Sequence, residues 1–192
     1  MPLLLETIRI NNSQIENLEF HQQRCDNSRK ILFNDTKPLD LASKITPPSK
    51  GLIRCRILYD TAIRAVEYIP YTPKDLKTFT IVQSNVDYSH KFADRSILEN
   101  LKAQHPQSDE IIIEKDGYLT DTTISNIAFL KDGEWVTPSN PLLFGTMRAK
   151  LLKEGFLKEK LIRKEELSSF QGFALINAMI GFAPINDFNI KG

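Results

Sequence analysis

The chain has 192 residues, with 25 lysines and arginines against 24 aspartates and glutamates and a formal net charge of +1. That length buries a real core, as one large domain or two small ones. A balance so near neutral excludes the broad positive field of a nucleic-acid binder. No apolar run is long enough to span a membrane, and Met1 to Leu5 is too short for a signal peptide and is followed by polar residues. The default expectation is a cytoplasmic protein with no membrane or nucleic-acid partner. Cys25 and Cys55 form no CxxC pair, and His21, His90 and His105 are far apart. No metal site is expected, and both cysteines read as buried, reduced thiols.

In chain order, Leu3 to Ile10 reads as a strand, Asn11-Asn12 as a turn and Gln14-Ile15 as the start of a returning strand. Leu18 to Leu32 suits an amphipathic helix that puts His21, Arg24 and Ser28 on one face. A short helix is expected around Leu39 to Ile45, ended before Pro47-Pro48. Gly51 to Tyr59 and Thr61 to Tyr71 alternate as strands, and Lys77 to Val86 is another. A boundary falls near Thr72-Pro73. Asp94 to Gln104 reads as a helix, followed by short strands at Glu110 to Glu114, Leu119-Thr120, Ile124 to Lys131 and Glu134 to Thr137. Asp116-Gly117 and Asp132-Gly133 are hairpin turns. Arg148 to Glu154 and Lys164 to Ser168 are expected to be helical, with a strand near Leu157 to Ile162 between them. Gly172 to Asn177 and a segment from Ala183 are the last strands. Strands and helices mix without a regular βαβ rhythm, which predicts an α+β fold in two subdomains.

Some residues draw attention by type and place. Lys91 is followed, after a spacer, by Asp121-Thr122-Thr123-Ile124-Ser125-Asn126. Taken singly, Lys91 reads as a solvated lysine after a strand, Asp121 as a turn cap and Arg24 as a surface helix arginine. Gly145 to Arg148 reads as a helix N-terminus. Arg95 is equally placed to pair with Asp94 or Glu99. Arg54 and Arg56 share one strand face, which is either simply solvated or turned toward an anionic ligand.

The motifs fall into a collinear series. Glu6-Thr7-Ile8-Arg9 opens it, then His21-x-x-Arg24 with Ser28, then Lys91 with Arg95. Gly117-Tyr118-Leu119-Thr120-Asp121 and Ser125-Asn126-Ile127 follow. Trp135-Val136-Thr137-Pro138, Leu142-Leu143-x-Gly145-Thr146-x-Arg148, and Ile176-Asn177-Ala178-Met179 with Ala183-Pro184-Ile185 complete it. Through nearly the whole chain this order resembles the class IV aminotransferase family, the fold-type IV pyridoxal-phosphate enzymes.

The resemblance implies a two-domain, D-amino acid aminotransferase-like α+β architecture, shortened, with domains at 1–72 and 73–192 and the Schiff-base lysine on the second. It implies pyridoxal 5'-phosphate as cofactor, with Lys91 attached to it and acting in its neutral form as base and acid. Asp121, in place of the usual glutamate, would partner the ring nitrogen, and Arg24 the phosphate. Thr146, Met147 and Ala178 would offer backbone N–H groups, Asn177 its amide as well, and Asn126 would organise the backbone. Met147 stands where many relatives have threonine. Arg54, Arg56, Arg95 and Tyr88 would face a small, anionic, amino-acid-like substrate. A homodimer is implied, with sites between the domains and near the dimer interface. The implied activity is that of 4-amino-4-deoxychorismate lyase, which releases pyruvate and 4-aminobenzoate for folate synthesis. The alternatives are amino transfer to a 2-oxo acid, or cofactor binding without turnover.

Overall fold

A computed structural model describes every residue, Met1–Gly192. The chain divides into two compact units, Met1–Pro73 with His90–Asp94, and Lys74–Ser89 with Arg95–Gly192.

The first unit contains β1 (Leu4–Asn11), β2 (Gln14–Ile15), α1 (Leu18–Phe33), β3 (Leu52–Tyr59) and β4 (Ile63–Pro70). They form an antiparallel sheet in the order β2-β1-β3-β4. Leu4, Ile8 and Ile10 alternate on β1 and stand opposite Tyr59, Cys55 and Ile53 on β3, so one face of the sheet is apolar. That face packs with Cys25, Leu18, Leu32 and Phe33 of α1 into the core. Burial pushes the Cys25 and Cys55 thiols up to about 12 and about 11, and both cysteines are free. The expected helix at Leu39 to Ile45 shrinks to a single 3-10 turn, Ala42–Lys44. The Gln22 side chain explains this, because it binds the Leu39 carbonyl and the Leu41 N–H, groups that a helix would need for itself.

The second unit begins with β5 (Thr78–Gln83), α2 (Ser96–Ala103), β6 (Glu110–Lys115) and β7 (Tyr118–Thr122). It continues with β8 (Asn126–Lys131), β9 (Glu134–Pro138), α3 (Thr146–Lys153) and β10 (Leu157–Lys160), and ends with β11 (Gly172–Asn177), β12 (Gly181–Ile185) and β13 (Asn189–Lys191). Its sheet runs β10-β9-β8-β7-β6-β5-β13, with β11 on β8 and β12 on β11. Most neighbours are antiparallel, while β5–β6, β9–β10 and β5–β13 are parallel. Phe79, Phe129 and Phe173 meet within 5.0–5.2 Å, centroid to centroid, at the centre of its core. Both aspartate-glycine turns form with positive φ at each residue, Asp116-Gly117 and Asp132-Gly133, the geometry that two-residue hairpins require. The helix expected at Lys164 to Ser168 is a 3-10 turn, Lys164–Ser169, tightened by the Glu166 carboxylate accepting from the Arg163 N–H.

One boundary differs from expectation. Lys91 was placed with the second domain, yet His90–Asp94 belongs to the first unit. Backbone bonds explain it: the Leu5 N–H donates to the Lys91 carbonyl at 2.9 Å and the Ala93 N–H to the Leu3 carbonyl at 2.8 Å. Phe92 bridges to Leu4 and packs against the first core.

Candidate active site

In the first unit the core face of β1 is interrupted by a charge. Glu6 falls in register with Leu4 and Ile8 and is fully buried. Its carboxylate accepts from Arg24 Nε at 2.9 Å and Arg24 Nη2 at 2.6 Å, a bidentate pair. His21 Nδ1 lies 2.5 Å from Glu6 Oε2. Burial alone would push the Glu6 carboxyl up, but the Arg24 guanidinium and the bonds from His21 and Arg24 outweigh it and hold it at about 2. Burial also lowers the pKa of His21, and the positive charges of Arg24 and Lys91 lower it further, against the pull of Glu6. His21 is therefore neutral at pH 7 and donates its Nδ1–H to Glu6. The helical spacing of His21, Arg24 and Ser28 brings a third contact into the same region, His90 Nδ1 to Ser28 Oγ at 3.3 Å. Lys91, Arg24, His21 and Glu6 thus form one electrostatic group. Glu6 was not singled out from the sequence as a partner of Arg24. The signal was there, since it is a lone carboxylate at an inward position of an alternating apolar strand.

In the second unit the β7–β8 connection sets Asp121 directly across from Asn126. The turn between them is fastened by Thr122, whose hydroxyl donates to the Ser125 carbonyl at 3.1 Å and accepts from the Ser125 N–H at 2.9 Å. Asp121 Oδ1 accepts from Asn126 Nδ2 at 2.8 Å, and Oδ2 accepts from the Leu143 N–H at 2.9 Å. Asn126 Nδ2 also reaches the Leu143 carbonyl at 2.8 Å, tying the two strands to the loop before α3. That loop needs Gly145, because a Cβ there would lie 2.0 Å from Asn126 Oδ1. Burial pushes the Asp121 carboxyl up to about 7, although the Leu143 N–H, Asn126 and the charge of Arg148 all pull it down. Arg148 itself is held elsewhere, by the Pro138 carbonyl and Glu159. Asp121 is therefore a buried carboxylate with no cation bonded to it.

The remaining expected residues divide between free and committed groups. Thr146 and Met147 are buried in the first turn of α3, whose N-terminus no side chain caps; such a terminus presents N–H groups and a positive dipole end to an anion. Asn177 closes the turn that contains Ala178: its Oδ1 accepts from the Met179 and Ile180 N–H groups, and its Nδ2 donates to Ser125 Oγ at 2.8 Å. Arg95 donates to the Thr123 carbonyl at 2.9 Å, lies 3.9 Å from Glu99 and sits over the Tyr88 ring. Arg56 is paired with Glu67 at 2.7 Å. Arg54 has no ion pair, and its Nε is buried without a partner.

The donor set fits pyridoxal phosphate. The cofactor needs an amine, an acid for its ring nitrogen and donors for its phosphate. Lys91 supplies the first, Asp121 the second, and Arg24 with the uncapped start of α3 the third. The most telling element is Asp121, because burial has left its charge in need of a cationic N–H.

Comparison with known proteins agrees with this chemistry. The profile of the Amino-transferase class IV family matches residues 3–188. An uncharacterized protein of Haemophilus influenzae Rd is 39% identical over 184 residues, covering 93% of this chain and 98% of that protein. A crystal structure from Haemophilus somnus 129PT, described as a "putative 4-amino-4-deoxychorismate lyase", is 40% identical. It superposes with a TM-score of 0.87 over 94% of this chain and 98% of that one. A "putative aminodeoxychorismate lyase" of Schizosaccharomyces pombe is 31% identical over 126 residues, 60% of this chain and 54% of that protein. A catalytic set of this kind, matched along almost the whole chain, makes this protein a member of the class IV aminotransferase family of fold-type IV pyridoxal-phosphate enzymes.

Proposed function

We propose that the protein is a pyridoxal-phosphate-dependent lyase that takes a small anionic substrate bearing an amine and releases pyruvate. Its reaction is that of 4-amino-4-deoxychorismate lyase, with 4-aminobenzoate as the aromatic product for folate synthesis. The observation that carries a cofactor-dependent chemistry is the buried Asp121 carboxylate, bonded only to neutral donors. The lyase branch is supported by the descriptions of the Haemophilus somnus and Schizosaccharomyces pombe relatives. We place the working enzyme in the cytoplasm as a homodimer, as the family resemblance implies; no helix of the chain is long and apolar enough to cross a membrane.

Pyridoxal phosphate, when bound, withdraws electrons from the carbon that bears the substrate amine and so makes its proton removable. The chain's own residues do the rest. Asp121 holds a proton at the ring nitrogen, and ionises there because a cationic N–H replaces the missing counter-charge. Arg24, its plane fixed by Glu6, and the first N–H groups of α3 hold the phosphate. Lys91 Nζ takes the proton from the amine-bearing carbon and returns it to the methylene of the departing enol-pyruvate. Neutral His21 gives Lys91 a neighbour that adds no further positive charge.

The test is direct. Purified protein supplied with pyridoxal phosphate and 4-amino-4-deoxychorismate should release pyruvate and 4-aminobenzoate in equal amounts with no oxo acid present. Amino transfer that depends on an added 2-oxo acid, with no pyruvate from that substrate, would replace the lyase by the aminotransferase reading.

A further inference from the structure

The β1–β3–β4 sheet has a second face, turned away from α1, and its side chains form cross-strand rows. Thr7, Arg56 and Glu67 make one row, and Arg9, Arg54 and Ile69 the next. In the first row Arg56 is neutralised by Glu67 at 2.7 Å. In the second, Arg9 Nε is paired with Glu16 at 3.1 Å. Arg54 lies between these two paired arginines and has no carboxylate of its own.

Three costs meet at Arg54. Its charge stands directly opposite Arg9, an arrangement of like charges that destabilises a sheet. The residue is half-buried, and its Nε is enclosed with no acceptor, which carries a desolvation penalty. Its one ring neighbour is Tyr71, whose centroid lies 6.0 Å from the guanidinium. A planar carboxylate relieves all three at once, because it offers two acceptors to the guanidinium fork and a negative charge to both arginines.

We propose that this face binds a carboxylate of the substrate, with Arg54 as the receiving guanidinium and Tyr71 beside it. The identity of the ligand rests on the lyase reading above; the need for an anion does not. The site lies on the sheet that carries Lys91. Leu5, hydrogen-bonded to the Lys91 backbone, is four residues from Arg9 on β1, about 13 Å along the strand. Two long side chains and a ring-sized ligand cover that span. Of the two arginines expected to meet substrate, the geometry thus selects Arg54 and leaves Arg56 to Glu67.

The experiment is calorimetric titration of the pyridoxal-phosphate-loaded protein with 4-aminobenzoate, and with aniline as the probe lacking the carboxylate. The wild type should bind 4-aminobenzoate at least tenfold more tightly than aniline. Arg54→Met should abolish that preference, and Arg54→Lys, which keeps the charge but not the fork, should retain part of it. The melting temperature of Arg54→Met should be no lower than that of the wild type, since an unpaired guanidinium has been removed. Equal affinity of wild type and Arg54→Met for 4-aminobenzoate would overturn the proposal, and so would equal binding of aniline. Loss of self-association in Arg54→Met, with 4-aminobenzoate binding intact, would assign Arg54 to a second copy of the chain and overturn it as well. Arg54-dependent binding without pyruvate release from 4-amino-4-deoxychorismate would uphold the site and sink the lyase reading alone.

Discussion

Two carboxylates of this chain are fully buried in similar surroundings and end in opposite states. Glu6, on β1, is gripped by Arg24 at two points and touched by His21, and its carboxyl is held at about 2. Asp121, on β7, is bonded to a backbone N–H and an amide, and burial leaves it at about 7. Burial penalises both charges, and what separates them is a bonded cation. Glu6 is complete within the protein and fixes an arginine. Asp121 is incomplete and becomes complete when a ligand brings a positive N–H. A buried acid that the fold has left without a counter-charge is a better pointer to a cofactor than one the fold has satisfied.

The comparison can be broken at several points. The largest expected effect is on turnover. Asp121→Asn removes the charge at the ring nitrogen and should lower kcat by about 10²–10³-fold, at a stability cost of ~1 kcal/mol, that of one neutral hydrogen bond. Steady-state assays with thermal melts check both halves. A variant that unfolds while the few remaining folded molecules turn over normally would make Asp121 structural. Glu6→Gln should do the reverse in stability, costing about 3–5 kcal/mol, because a buried arginine loses its counter-charge. Urea unfolding of the apoprotein measures it.

The pH dependence should differ in sign. The folded pKa of Asp121 lies above its unfolded value of 3.8. Its contribution to stability is therefore complete below about 4 and is lost as pH rises toward about 7. The folded pKa of Glu6 lies below its unfolded value of 4.5, so its contribution is complete above about 4.5 and is lost as pH falls toward about 2. Stability of wild type minus Asp121→Asn should thus decline with rising pH, and wild type minus Glu6→Gln with falling pH. Each difference should amount to about 3–4 kcal/mol. Parallel slopes would erase the distinction. The smallest effect is expected from Gly145→Ala, whose Cβ displaces Asn126. It should cost about 1–3 kcal/mol and weaken pyridoxal-phosphate binding, which fluorescence titration would report.

Local pattern revealed much of this. The α1 periodicity put His21, Arg24 and Ser28 on one face, and the structure brings all three to buried or half-buried positions there. The two aspartate-glycine turns and the alternation of β1 and β3 set the registers that follow from them. Asp121 with Asn126 was visible as a motif, and their opposition across a short turn follows from strand pairing. What stayed hidden depends on contacts distant in sequence. Lys91 joins the first unit through backbone bonds to Leu3 and Leu5, which leave no trace in side-chain pattern. β13 is three residues long and exists by pairing with β5. Asn177 looked free to serve a ligand, yet its amide closes the β11–β12 turn. Arg54 and Arg56 looked equivalent until Glu67 on β4 distinguished them.

The most direct measurement of the central claim is the visible spectrum of the protein loaded with pyridoxal phosphate, followed by borohydride reduction and mass mapping of the labelled lysine. The account predicts an absorbance band that reduction abolishes, and a single pyridoxyl label on Lys91 that is lost in Lys91→Ala. A folded protein that takes up no cofactor, or carries the label on another lysine, would contradict it.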